Sequence, residues 1–106
     1  MNMPKLNMKE MEDAAAPVTE LMKVLSNRTR LLALCHLVDG ERSVGELARF
    51  LGIREQAMSQ QLALLRKDGL VKPRRDGQTV YYSLARGDIA EVMRFLHNTY
   101  CPVDQA

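Results

Sequence analysis

The stretch that decides the fold is SVGELARFLGIREQAMSQQLALLRKDG, residues 43–69. It starts with a capping box, Ser43-Val44-Gly45-Glu46, in which the serine and glutamate side chains satisfy backbone N–H groups at a helix start. The short helix that follows ends at the tight turn that Gly52 permits. A second helix runs from about Glu55 to Lys67, and Asp68-Gly69 ends it. Two short helices joined by a glycine-containing turn predict a helix-turn-helix.

Beyond this stretch the hydrophobic period changes from that of a helix to that of a strand. Residues 70–74 and 78–84 have extended patterns, and in the second of them apolar and more polar positions alternate. Asp76-Gly77 lies between the two, and this dipeptide readily takes the positive φ angles that a two-residue turn requires. A β-hairpin therefore follows the helix-turn-helix directly, and a hairpin in that position is a wing.

Three further helices flank this unit. The first runs from Met11 to Leu25 with Pro17 inside it, and the second begins after Asn27 and ends at Asp39-Gly40. The last extends from about Asp88 to Tyr100. The sequence thus predicts a mainly α fold with a β-hairpin wing, a winged helix-turn-helix with the element order α-α-α-α-β-β-α.

The length and composition of the chain limit what it does. At 106 residues it has the size of one domain, with no room for a separate catalytic domain, and 46% hydrophobic with 26% charged residues is a globular composition. We expect a flexible tail at 1–10, one domain at 11–101 that includes the dimerisation helices, and a second tail at 102–106. The start has no signal-peptide pattern and no stretch approaches the roughly 20 apolar residues that span a membrane, so a cytoplasmic protein is expected.

The second helix of the motif has two different faces. At about 100° per residue, Met58, Leu62 and Leu65 fall together. The opposite face is polar and almost uncharged, and its candidate DNA-reading residues are Gln56, Ser59, Gln60 and, further along the same line, Lys67. Glutamine pairs bidentately with adenine, and serine both donates and accepts hydrogen bonds at base edges. For this helix alone, an ordinary solvated face remains an equal alternative.

Basic residues continue from this helix onto the wing. The net charge of +2 is modest, but Arg66, Lys67, Lys72, Arg74 and Arg75 lie within ten residues that contain a single acid, Asp68. Such a strip suits phosphate contact, which supplies affinity without sequence information. We therefore predict binding of double-stranded DNA, with Lys72, Arg74 and Arg75 as further contacts. A module that uses the same fold to hold a protein partner is an alternative.

The apolar stripes of the first and last helices are wider than one small core absorbs. Ordinary core packing explains part of each stripe, and a two-fold homodimer interface is the favoured interpretation. A symmetric dimer places two recognition helices about one DNA turn, ~34 Å, apart. The predicted operator is then an imperfect palindrome.

Several segments resemble the ArsR family of repressors. They are Val24–Leu31, Leu37–Leu47, Ser59–Arg66 and Gln78–Tyr82. The resemblance covers nearly all of the chain beyond the first ten residues and implies a DNA-binding repressor, not an enzyme. One departure is Arg54, which stands where the family usually has a small cap residue at the start of the recognition helix. The Cys-x-Cys ligands of the family's arsenic and cadmium sensors and the ligand pairs of its zinc sensors are absent, so no metal site or cofactor is predicted.

Two cysteines remain, Cys35 in the second helix and Cys101 after the last. This arrangement resembles the SqrR, BigR and HlyU branch of the family, and the resemblance implies a dithiol that senses persulfides. In that interpretation sulfane sulfur links Cys35 to Cys101 within one protomer and lowers operator affinity. From the residues alone, alternatives stay open: a small buried hydrophobe at Cys35, an inert thiol at Cys101, a thiol enzyme, or a zinc or copper(I) site with His97. His36 is expected to face outward.

Overall fold

The computed structural model describes residues 5–102. Over that range the order of elements is α1 (Met8–Leu25), α2 (Arg28–His36), β1 (Arg42–Ser43), α3 (Val44–Leu51), α4 (Glu55–Lys67), β2 (Val71–Asp76), β3 (Thr79–Leu84) and α5 (Gly87–Tyr100). The predicted fold class, a mainly α winged helix-turn-helix with a β-hairpin wing, is confirmed. The strand β1 was not predicted, because two residues are too few to display a strand period.

Helix starts follow the side chains that cap them. At α2 the Asn27 side chain accepts a hydrogen bond from the backbone N–H of Arg30 at 3.0 Å. At α3 the predicted capping box is present: the Glu46 N–H donates to Ser43 Oγ at 3.1 Å, and the Ser43 N–H donates to Glu46 Oε1 at 2.8 Å. At α4 the cap residue is Arg54, whose side chain makes no capping bond. The helix nevertheless begins at Glu55, as the sequence predicted.

The first helix begins earlier than predicted. Its start is Met8 and not Met11, because the side chain of Asn7 caps it by accepting a hydrogen bond from the Glu10 N–H at 3.1 Å. Apolar periodicity indicated the face of the helix but not this cap. Residues 8–10, which we expected in a flexible tail, are therefore part of α1. Residues 1–4 and 103–106, which hold much of the two predicted tails, lie outside the described residues.

The three strands form one antiparallel sheet in the order β1-β3-β2. In the wing, Asp76 of β2 pairs with Thr79 of β3, so the turn is Gly77-Gln78. Gly77 has φ 63°, whereas Asp76 does not have a positive φ. The expectation that both residues of Asp76-Gly77 take positive φ was therefore wrong: only the first central residue of this turn needs the left-handed region, and glycine occupies it.

The core lies between α2, α3, α4, α5 and the sheet. Its buried residues are Ala33, Leu34, Leu37, Leu47, Ala48, Met58, Leu62, Leu65, Leu70, Val71, Tyr82, Ile89 and Met93. The 18 residues of α1 contribute no buried side chain. Within residues 5–102, no helix combines the length and the hydropathy that crossing a bilayer requires.

Candidate nucleic-acid interface and thiol pocket

The helix α4 is anchored by one face and exposes the other. Met58, Leu62 and Leu65 are each 0% exposed in the core. The predicted DNA-reading residues point away from that core and are all exposed: Gln56, Ser59, Gln60 and Lys67. Since both sets keep helical spacing over the 13 residues of α4, the polar face is a continuous surface along the helix.

A groove of about 400 Å³ separates α4 from the wing. Ser59 and Arg66 of α4 line it from one side, and Arg75 of β2 lines it from the other. Its remaining lining residues are Val44, Pro73, Val80 and Tyr82. The structure thus brings a predicted base-reading residue together with a predicted phosphate-binding residue. Arg66 was absent from the predicted contact set, although its membership of the basic strip was a usable signal.

Arg74 lies on the opposite face of the wing. Side chains alternate along a strand, so Arg74 and Lys72 share one face of β2, and Arg75 lies on the other. The Arg74 guanidinium donates two hydrogen bonds to Glu41, at 2.9 and 2.7 Å, and stacks 4.8 Å from the centre of the Tyr81 ring. The hydrogen bond from Arg74 lowers the pKa of the Glu41 carboxyl below its usual value. The basic strip is therefore divided between two surfaces, and one of its cations is already paired.

The thiol of Cys35 lies on α2 beside α5. Cys35 is exposed, and its Sγ lies 3.6 Å from the Sδ of Met93 on α5. Burial of the sulfur, and after it the charge of a Cys101 thiolate, raise the pKa of the Cys35 thiol. Cys35 contacts the core through Met93 but is not the fully buried hydrophobe that was one alternative.

A half-open pocket of about 340 Å³ adjoins Cys35. It lies between the end of α2 and one side of α5, and it is lined by Cys35, Val38, Asp39, Met93, Arg94, His97 and Asn98. Cys101 follows the last residue of α5, and its N–H donates to the His97 carbonyl oxygen at 3.0 Å. The pocket therefore brings a thiol together with side chains of both charges, one helical turn from the second thiol.

Two further expectations concern residues near this pocket. Within residues 5–102, no three histidine, cysteine or acidic side chains are grouped closely enough to hold a metal ion, so Cys35, His97 and Cys101 do not form such a site in this conformation. His36, expected to face outward, is half-buried and stacks on the Phe50 ring with a centroid distance of 4.9 Å. An aromatic neighbour from α3, which the local spacing does not reveal, accounts for that difference.

Large apolar side chains stay exposed on the two terminal helices. On α1, Met8 is 60% and Met22 is 51% exposed. On α5, Phe95 is 63% and Tyr100 is 76% exposed, and neither lines the pocket beside Cys35. A single protomer thus leaves part of both stripes uncovered, as the sequence predicted.

Comparisons with known proteins agree with this architecture. A sequence model of the MarR family matches residues 24–79. The transcriptional activator HlyU of Vibrio cholerae is 43% identical over 100 residues, which cover 94% of this chain and 93% of HlyU. The crystal structure of the transcriptional repressor BigR from Xylella fastidiosa gives a TM-score of 0.87 at 38% identity, covering 92% of this chain and 100% of that one.

A third structure is the solution structure of Mb0332 from Mycobacterium bovis, named as a homodimeric winged helix-turn-helix DNA-binding domain and a possible ArsR-family regulator. It gives a TM-score of 0.68 at 31% identity, covering 93% of this chain and 89% of that one. The segment that the MarR model matches contains α2, β1, α3, α4 and β2, and so it includes the α4 and β2 sides of the groove. The chain belongs to the MarR family and is a winged-helix transcriptional regulator of the HlyU and BigR type.

Proposed function

We propose that this chain is a homodimeric repressor of the ArsR type that releases its operator when persulfides link Cys35 to Cys101. The observation that carries the DNA-binding part is the orientation of α4. Met58, Leu62 and Leu65 are fully buried, and Gln56, Ser59 and Gln60 are left on the outer face. Because the proposed target is chromosomal DNA, we place the protein in the cytoplasm.

On DNA, α4 enters the major groove and the wing follows the backbone. Gln56, Ser59 and Gln60 reach base edges, and Lys67 contacts the phosphates at the end of the helix. Arg75 faces α4 across the groove and contributes a phosphate contact. Lys72 and Arg74 lie on the other face of β2, so they contact a more distant part of the backbone. The proposed phosphate contacts thus differ in strength, with Arg74 weakened by its pairing with Glu41.

The dimer is formed by α1 and α5. Support comes from α1, which has no buried residue in the protomer, and from the exposed Phe95 of α5. Burying such surfaces against a second copy removes apolar area from water. The resulting two-fold axis presents two α4 helices to the half-sites of an imperfect palindrome.

The sensing step is thiol chemistry with sulfane sulfur as the oxidant. The Cys35 thiolate attacks the outer sulfur of a hydropersulfide R–S–SH; the S–S bond breaks, and R–S⁻ leaves. The Cys101 thiolate then attacks the Cys35 sulfur of the new persulfide, which forms the disulfide and releases HS⁻. If both cysteines carry a persulfide first, the same displacement yields a trisulfide and one HS⁻. Two thiols are oxidised in each case, and the electrons leave on the released thiol and hydrosulfide.

The link acts on DNA through the packing of α5. This helix packs against α2, which carries Cys35, and against β3 of the wing. A bond from Cys35 to Cys101 ties the end of α5 to α2 and restrains the helix that carries the proposed dimer face. The distance between the two α4 helices then no longer matches the operator, and affinity falls.

One experiment tests the whole proposal. Binding to DNA from the protein's own promoter region is measured with the dithiol reduced, treated with a persulfide donor, and loaded with zinc. We expect tight binding in the reduced state and release after persulfide treatment, with a Cys35–Cys101 crosslink in the mass spectrum. Release by zinc alone would favour the metal-sensing alternative. Persulfide treatment that modifies other sites without that crosslink would contradict the proposal.

Two variants distinguish DNA binding from the interaction-module alternative. Gln60→Ala and Arg75→Ala should both weaken operator binding, and only Gln60→Ala should change sequence preference, because phosphate contacts are blind to sequence. Unaltered binding by both variants would favour a protein partner. A thiol enzyme, the remaining alternative, requires repeated turnover with product release, and a single modification per dithiol argues against it.

A further inference from the structure

Asp39 and Arg94 both line the pocket beside Cys35. Asp39 lies in the turn after α2, and Arg94 lies on α5, so the two charges approach the thiol from different elements. Among residues 5–102, neither Asp39 nor Arg94 is part of an ion pair. The pocket therefore offers one carboxylate and one guanidinium, both available to a ligand, next to a nucleophile.

The size and accessibility of this pocket suit a small molecule. Its volume of about 340 Å³ is at the lower end of the range of small-molecule sites. The exposed Phe95 and Tyr100 of α5, which belong to the proposed dimer face, are not among its lining residues. A hydrodisulfide ion, HS–S⁻, has no group for the carboxylate to bind. An amino-acid persulfide carries an ammonium group for Asp39 and a carboxylate for Arg94.

We propose that the pocket recognises the zwitterionic head of an amino-acid persulfide, with its ammonium group at Asp39, its carboxylate at Arg94 and its outer sulfur at Cys35. This inference rests on the proposed persulfide chemistry and names the donor class for that step. The reaction is unchanged: the Cys35 thiolate takes the outer sulfur, and the amino-acid thiolate leaves.

Binding the donor beside Cys35 compensates for the small thiolate fraction of this cysteine. Its pKa is raised, first by burial and then by the Cys101 charge, so less of it is thiolate at neutral pH than of an ordinary thiol. Holding the donor beside it raises the local concentration of the reaction partner. Arg94 also binds the carboxylate in a forked geometry, which orients the donor as well as attracting it.

The test uses donors that lack one charge at a time. Persulfides of cysteine, N-acetylcysteine and cysteamine carry, respectively, both groups, the carboxylate alone and the ammonium alone; inorganic polysulfide carries neither. The rate of Cys35–Cys101 link formation is followed by mass spectrometry in the intact protein, Arg94→Gln and Asp39→Asn. For each donor, the rate in a variant is divided by the rate in the intact protein, so the intrinsic reactivity of the donor cancels.

We expect each pocket charge to contribute about two- to fivefold in rate, as for a half-exposed ion pair. In Arg94→Gln, cysteine persulfide should no longer react faster than cysteamine persulfide, but it should still react faster than N-acetylcysteine persulfide. In Asp39→Asn, cysteine persulfide should lose its rate advantage over N-acetylcysteine persulfide and keep the one over cysteamine persulfide. The control Arg28→Gln, an exposed arginine on α2 that does not line the pocket, should change no ratio.

Different results would overturn the recognition of the amino-acid head and the persulfide switch. Identical donor ratios in the intact protein and both pocket variants would overturn the recognition of the amino-acid head while leaving the persulfide switch in place. Failure of every donor to link Cys35 to Cys101 would overturn the switch itself and this inference with it.

Discussion

Replacing Arg75 with alanine removes a guanidinium that faces α4 across the groove. If Arg75 binds a phosphate, the slope of log affinity against log salt concentration becomes less steep by ~0.9 for each phosphate that is no longer neutralised. A dimer carries two copies of Arg75, one in each protomer, so the slope changes by about 1.8. Between 50 and 200 mM salt, a fourfold change, the affinity ratio of intact protein to variant should therefore shrink by about twelvefold.

Arg74→Ala is the matched control for this measurement. The same substitution one position away removes a guanidinium that lies on the other face of β2 and already donates two hydrogen bonds to Glu41. Its charge is partly neutralised before DNA arrives, so the change in slope should be clearly smaller than for Arg75. Fluorescence anisotropy with a labelled operator at five or more salt concentrations gives both slopes, and thermal unfolding checks that both variants are folded. Equal slopes for the two variants, or no change for Arg75→Ala, would refute the assignment of Arg75 as the stronger phosphate contact.

Two further outcomes concern stability and reactivity. Ser43→Ala removes the hydroxyl of the capping box with Glu46 and should cost about 1 kcal/mol, lowering Tm by roughly 4–8 °C, whereas Ser59→Ala on exposed α4 surface should leave Tm unchanged. Equal Tm values would mean that the cap adds nothing. Because burial and the Cys101 charge raise the pKa of Cys35, its alkylation rate should still increase at a pH where a free thiol has reached its plateau. Cys101→Ser should shift the curve to lower pH; a curve identical to that of a free thiol would contradict the raised pKa.

The pKa of Cys35 also sets a direction for stability. A thiol whose folded-state pKa exceeds its unfolded value binds its proton more tightly when folded. Its stabilising contribution is therefore complete below the unfolded pKa and disappears as the pH rises through the folded pKa. Stability measured above the ordinary thiol range should fall more in the intact protein than in Cys35→Ala.

Much of the fold was predictable because it depends on contacts within one helical turn. The Ser43 and Glu46 cap, the Asn27 cap and the left-handed Gly52 connect residues at most three or four positions apart, so residue spacing reveals them. The outer face of α4 was predictable for the same reason, since helical spacing separates buried from exposed positions. The early start of α1 was missed because a single asparagine, without an apolar pattern, decides it.

The candidate site was predictable only as a set of residues. Charge clustering selected Arg74 and Arg75 without indicating which of them faces α4. Strand alternation puts Arg74 and Arg75 on opposite faces, but only the packing of the hairpin on the core decides which face borders the groove.

By itself, the sequence determined the helices, the wing, the polar face of α4 and the presence of two thiols, because each follows from residue type and local spacing. Only the tertiary structure decided that Arg74 is paired with Glu41, 33 positions away, and that Cys35 meets Met93, 58 positions away. It also decided that Asp39 and Arg94 share a pocket with Cys35. Such contacts depend on how helices and sheet pack against one shared core, and local spacing does not encode that packing.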